Sequence, residues 1–165
     1  LYSFSKVYSL AGYRVGAVIG GPSLVRAATK VMDTVAICAP RIGQEAALFG
    51  LQRLRSWREA RRDDMLARLA ALKTAFAGRP GGFELISAGA FFALVRYPRT
   101  DAGPAAMAES LVERAALLTL PGSMFGLGDA PFLRVAFGNV EPAVLARGIA
   151  RLDEPASAVH RGAGA

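Results

Sequence analysis

Four residues near the start of the chain have the types and spacing for covalent chemistry on a phosphorylated ligand: Ser3, Ser5, Lys6 and Arg14. A lysine amine attacks a carbonyl only when it is uncharged, and a neighbouring cation with partial burial moves it toward that state. Arg14 lies eight residues beyond Lys6, across a loop made flexible by Gly12. Its planar fork of donors suits a phosphate better than the point charge of a lysine does, which leaves Lys6 for covalent work. If Leu1–Ser5 is a short strand, alternation puts Ser3 and Ser5 on one face and Tyr2 and Phe4 on the other, so two hydroxyls converge. A phosphate anchor beside a reactive amine describes a site for pyridoxal 5'-phosphate.

The full run, Ser3-Phe4-Ser5-Lys6-Val7-Tyr8-Ser9-Leu10-Ala11-Gly12-Tyr13-Arg14-Val15-Gly16, resembles the cofactor-lysine motif of the class I and II aminotransferases, within the type I group of pyridoxal-phosphate enzymes. The step of eight from lysine to arginine is part of that resemblance. It implies that Lys6 holds the cofactor as a Schiff base and then shuttles protons, while Ser3, Ser5 and Arg14 bind the cofactor phosphate. Without the resemblance, Lys6 reads as a surface lysine on a strand-loop-strand corner.

Arg134 is the second residue with a chemical reading. In Phe132-Leu133-Arg134-Val135-Ala136-Phe137, alternation gathers Leu133, Val135 and Phe137 on one apolar face and leaves Arg134 on the other, beside Phe132 and Ala136. The order Pro121-Gly122-Ser123-Met124-Phe125-Gly126 followed by this strand is similar to the same family's C-terminal pattern. There the arginine grips the α-carboxylate of the amino acid substrate, and the resemblance carries that role to Arg134. The strand alone also allows an exposed arginine paired with a surface carboxylate.

The elements that must position these residues can be read from periodicity. Val15–Gly20 reads as a buried strand, and its glycines form no dinucleotide-binding fingerprint. Pro22 suits the first turn of a helix that buries a stripe of Leu24, Val25, Ala28, Val31 and Met32. Residues 34–40 form an irregular connector in which Cys38 fills a small place in a core. Residues 42–77 read as one long helix, with Leu48, Leu51 and Leu54 in one part and Met65, Leu69, Leu72 and Phe76 in the other. Its Arg53, Arg55, Arg58, Arg61 and Arg62 alternate with Glu59, Asp63 and Asp64 on a wet face. After the break at Gly78–Gly82, strands are expected at 83–86, 91–95 and 117–120. A helix from Pro104 buries Met107, Leu111 and Ala115, and a closing helix over 142–152 buries Leu145, Ile149 and Leu152. Glu154 onward reads as a frayed tail, and its His160, the sole histidine, has no expected catalytic part.

The 165 residues are 53% hydrophobic, ample for a core. The net charge of +7 raises the question of nucleic acid, but the basic residues are spread along the chain instead of alternating with exposed aromatics, so no nucleic-acid partner is expected. No apolar run approaches the roughly 18 residues that span a bilayer. The expectation is a cytoplasmic protein with no membrane partner. Cys38 is the only cysteine, so neither an intrachain disulfide nor a cysteine metal cluster forms.

Position 1 is Leu, and the lysine motif begins at the third residue. In the resembling family the lysine falls past the middle of a chain more than twice as long. The expectation is therefore an α/β fragment, the C-terminal part of a type I pyridoxal-phosphate-dependent transferase fold. Residues 1–41 would end the large cofactor-binding domain, 42–78 form the connecting helix, 79–153 make a small α+β domain, and 154–165 be a tail. The resemblance implies an aminotransferase acting on an amino acid and a 2-oxo acid as a homodimer, with the segment inactive by itself and the pyridine-ring contacts outside it. The alternatives are a lyase on the same fold, or an aminotransferase-like sensor domain of a transcription regulator.

Overall fold

The computed structural model describes residues 1–153; the expected tail and His160 lie outside the described residues. The described chain forms two compact units, which divide between Arg62 and Asp63.

In the first unit, β1 (Tyr2–Ser3) pairs antiparallel with β2 (Gly16–Ala17), with Ser3 opposite Gly16. The strand expected over Leu1–Ser5 stops at Ser3, because Ser3 caps a one-turn helix, α1 (Phe4–Val7), and accepts a hydrogen bond from the Ser5 N–H at 3.3 Å. A serine cap offers the backbone an alternative to the sheet ladder. The buried strand expected over Val15–Gly20 shrinks to the two residues of β2. Val15 is buried, but Ile19 is 80% exposed.

Helix α2 (Pro22–Val35) begins at Pro22 as the fixed proline φ favours. It corrects two expectations. None of its residues is buried, so Leu24, Val25, Val31 and Met32 form an exposed apolar stripe, and Cys38 beyond it is exposed rather than core filler. Periodicity identifies the apolar face of a helix but not what covers it.

The single helix expected over 42–77 is two helices, α3 (Arg41–Arg53) and α4 (Arg55–Phe76), broken at Leu54, where φ is −107° and ψ is 30°. Leu54 and Trp57 turn inward against the small core of Phe4, Tyr8, Val15 and Ala47. The buried face of α3 is Gly43, Ala47 and Gly50, while Leu48 and Leu51 of the expected stripe are exposed. Close approach explains the choice of small residues. A Cβ on Gly50 would stand 2.9 Å from the Tyr8 ring, and one on Gly43 would stand 2.7 Å from the Tyr13 carbonyl oxygen. The wet arginine face holds for Arg55, which pairs with Glu59 at 3.0 Å in the open.

The second unit is a four-stranded antiparallel sheet with helices on one face. Its strands are β3 (Glu84–Gly89), β4 (Phe92–Arg96), β5 (Leu120–Pro121) and β6 (Phe132–Ala136), in the order β3-β4-β6-β5. β3 runs past its expected end at 86 and carries a bulge between Leu85 and Ser87. The strand expected over 117–120 contracts to Leu120–Pro121, because the chain leaves helix α5 (Pro104–Ala115) through Ala116 in the left-handed region, with Leu118 82% exposed. The core matches the periodic reading closely. Leu72 and Phe76 of α4, Met107, Leu111 and Ala115 of α5, and Leu145 and Ile149 of α6 (Pro142–Ala150), with Leu152 just beyond it, pack on Ala93, Val95, Leu133 and Phe137. Met65 and Leu69 complete the stripe at the margin.

At one edge of this sheet Glu84 is bonded by Arg96 and lies 3.2 Å from Arg79. The hydrogen bond from Arg96, with the charges of Arg79 and Arg96, holds its carboxyl below the usual range despite the opposing effect of burial. Burial, followed by the charge of Asp129, raises the Tyr97 hydroxyl above its ordinary value, and that hydroxyl donates to the Ala102 carbonyl at 3.2 Å. Among the described residues no helix is long and apolar enough to cross a membrane.

Burial on α4 sets the first expected outcome. Leu72 is fully enclosed, so Leu72→Ala should lower unfolding free energy by about 2–5 kcal/mol. Leu66, on the same helix but 48% exposed, should change it by less than about 0.5 kcal/mol when cut to alanine. Urea unfolding followed by circular dichroism compares the two, and equal effects would contradict the assigned core face.

Candidate functional site

Lys6 stands on α1 with its side chain exposed, because the opposite side of that turn is anchored. Phe4 and Tyr8, four residues apart, are 6% and 5% exposed, and their rings stack with centroids 6.1 Å apart. The Tyr8 ring seats against the bare backbone of Gly50, and its hydroxyl accepts from Arg58 Nη1 at 3.5 Å. These contacts orient the turn and leave Lys6 on its outer side.

Ser3, Ser5 and the backbone of Arg14 lie at the same corner. Beyond the β1–β2 ladder, the Phe4 N–H donates to the Val15 carbonyl at 3.4 Å, which places the Arg14 backbone beside the first turn of α1. Arg14 adopts left-handed backbone angles, φ 52° and ψ 49°, a conformation that costs a residue with a Cβ about 1–2 kcal/mol. Its Nη1 donates to the Ala11 carbonyl at 2.8 Å, folding the guanidinium over the 3-10 turn Ala11–Tyr13. Ser3 and Ser5 do not share a strand face, as alternation would have had it; they are joined by the cap. Since Ser3 Oγ accepts from Ser5, its own proton is available to a further acceptor. The chain has no acidic residue before Asp33. Hydroxyls and cations with no competing carboxylate nearby in sequence fit an anion such as a phosphate.

Arg134 belongs to the second unit. It lies in the middle of β6, opposite Leu94 on one side and Leu120 on the other. Leu133, Val135 and Phe137 face the core, so Arg134 projects from the face of the sheet away from the helices, as alternation predicts. Its Cζ lies 4.1 Å from the centroid of the Phe92 ring and 4.2 Å from that of Phe125. Together with Ser87, Gly89 and Leu94 these residues line an open hollow of about 250 Å³. Among the described residues Arg134 has no hydrogen bond or salt bridge, so the surface carboxylate that an ordinary strand arginine would pair with is missing. What remains is a part-exposed guanidinium whose N–H edge can take a planar carboxylate in two parallel bonds.

The periodic reading did not pick out Phe92 and Phe125 as neighbours of Arg134. Half of the signal was legible: Phe92 and Leu94 share a strand face by alternation. That this face meets Arg134 depends on the β4–β6 register, and Phe125 arrives from the 3-10 turn Gly122–Phe125.

Residues 1–152 match the family model for aminotransferase class I and II, and the chain belongs to that family, which depends on pyridoxal phosphate. It is 27% identical to the aromatic aminotransferase ISS1 of Arabidopsis thaliana, over 92% of this chain and 39% of the relative. It is 32% identical to an aspartate aminotransferase of Thermococcus kodakarensis, over 82% and 35%. Among solved structures it resembles an aromatic aminotransferase from Pyrococcus horikoshii OT3, with a TM-score of 0.78 at 24% identity, over 91% of this chain and 40% of that one. The fold is thus α/β and a part of the type I pyridoxal-phosphate-dependent transferase fold, and the chain spans about two fifths of the length of these relatives.

The contact between Tyr8 and Gly50 gives a test of how the lysine corner is held. Gly50→Val should destabilise the first unit by about 1–3 kcal/mol through overpacking. Trp57, the sole tryptophan, packs against the same core, so its fluorescence should shift and unfold at lower urea. An unchanged spectrum and midpoint would show that α1 does not rest on α3.

Proposed function

We propose that this chain is part of a pyridoxal-phosphate-dependent aminotransferase that moves an amino group between an amino acid and a 2-oxo acid. The observation that carries the reading is the corner of Ser3, Ser5, Lys6 and Arg14, two hydroxyls and a guanidinium-bearing residue beside an exposed lysine in a chain of this family. The homodimer that the family resemblance implies belongs to the same proposal, as does the cytoplasmic location expected from the sequence.

Each residue then has a task its chemistry suits. The Ser3 and Ser5 hydroxyls and the Arg14 guanidinium would hold the phosphate, three donors against a dianion. Lys6 would hold the cofactor through its amine, and that same amine could carry a proton to and from the substrate α-carbon. When bound, pyridoxal phosphate supplies an electron sink for the charge released at that carbon. Arg134 binds the α-carboxylate, which fixes the orientation of the substrate and so which of its bonds is broken. A guanidinium with no carboxylate partner among the described residues has little to surrender when the substrate arrives.

Borohydride reduction of the cofactor-loaded, full-length protein followed by peptide mapping should place the label on Lys6. Label on Lys30 or Lys73 with Lys6 unmodified would overturn the lysine assignment. For Arg134, both Arg134→Ala and Arg134→Lys should lower kcat/KM for amino and oxo acids by the equivalent of about 2–5 kcal/mol, because the substrate charge loses its bidentate partner. Cofactor absorbance should not change. Near wild-type kcat/KM would exclude the carboxylate role, and loss of the cofactor would assign Arg134 to another task.

A further inference from the structure

We propose that Phe92 and Phe125 are positioning residues for Arg134: their two rings, 4.1 and 4.2 Å from the guanidinium carbon, hold it ready for the substrate carboxylate. This rests on the carboxylate role proposed above for Arg134.

A free arginine side chain carries about 2 kcal/mol of rotamer entropy, which is lost when it is held for a ligand. Proteins usually settle that in advance with a hydrogen bond or an ion pair, and among the described residues Arg134 has neither. What it has is two aromatic faces. A guanidinium is attracted to the face of a ring by the ring's quadrupole, while its N–H donors point outward in its own plane. Stacking therefore restrains the group without consuming the donors, which an ion pair would do. The rings also displace water from the guanidinium, and a less hydrated cation binds a carboxylate more strongly.

The two rings come from elements that differ in kind. Phe92 is on β4, paired with Ala136 and two residues from Leu94, the cross-strand partner of Arg134, so the sheet register sets its place, and the Phe91 ring lies 4.5 Å from its own. Phe125 ends the 3-10 turn Gly122–Phe125, which Gly126 closes with a φ of 80°. Neither ring belongs to the core of the unit, and Phe125 is 45% exposed. Their contact with Arg134 is thus separable from folding, which makes the role testable.

The experiment uses the full-length, cofactor-loaded enzyme, the best amino acid from a screen of the twenty, and the amine left when that amino acid is decarboxylated. Phe125→Leu and Phe92→Leu should each raise KM for the amino acid by about threefold to tenfold, the range expected for losing one cation–π contact. The cofactor spectrum, the melting temperature and the slow rate with the amine should be unchanged, and Phe125→Tyr should restore KM. In an Arg134→Ala background the phenylalanine substitutions should have no further effect. If Arg134→Ala raises KM while Phe125→Leu and Phe92→Leu do not, or if their effect persists without Arg134 or appears equally with the amine, the positioning role is wrong. If Arg134→Ala itself leaves KM unmoved, it is the carboxylate assignment that fails.

Discussion

A strand cannot send adjacent side chains to the same side, and the second unit is built on that constraint at β6. Leu133 and Phe137, 1% and 0% exposed, are drawn against the helices, so Arg134 has to project from the open face of the sheet. β4 repeats the pattern in register: Ala93 and Val95 are buried on the helix side, and Phe92 and Leu94 face the way Arg134 does. The apolar burial that holds the unit together is therefore also what aims its one arginine on this strand. Burying a large aliphatic or aromatic side chain is worth about 1.5–3 kcal/mol, several times an exposed ion pair, so the core dictates the direction of Arg134 and the surface charges do not.

The lysine corner meets the same requirement with a helix turn. Phe4 and Tyr8 point one way because they are four residues apart, and the missing side chain at Gly50 lets the Tyr8 ring come to the α3 backbone. Lys6 lies between them in sequence and so faces outward. The short β1–β2 ladder then brings Arg14 to the start of the same turn. A corner assembled this way depends on a small core of four buried residues rather than on its charged groups, which repel one another.

The arginines divide by what they touch. Arg79 and Arg96 serve one carboxylate, Glu84, at a sheet edge. Arg68 bridges to Glu141 at 2.9 Å and to the Gly138 carbonyl, tying α4 to the segment that leads into α6. Arg55 has its helix neighbour. Arg134 stands apart from these: among the described residues it makes no hydrogen bond or ion pair, and two aromatic rings lie over its guanidinium.

The lysine motif, the Pro22 helix start, the core stripe of α4, α5 and α6, and the outward face of Arg134 were all determined by the sequence. Each rests on a local period or a local backbone restriction, which neighbouring residues settle among themselves. The tertiary structure alone decided that Ser3 caps a helix instead of continuing a strand, that the long helix breaks at Leu54, and that α3 buries glycine and alanine instead of leucine. It also decided which rings meet Arg134. Those outcomes turn on how closely two backbones approach and on the register between strands, and such distances are set by residues far apart in the chain, which no local pattern records.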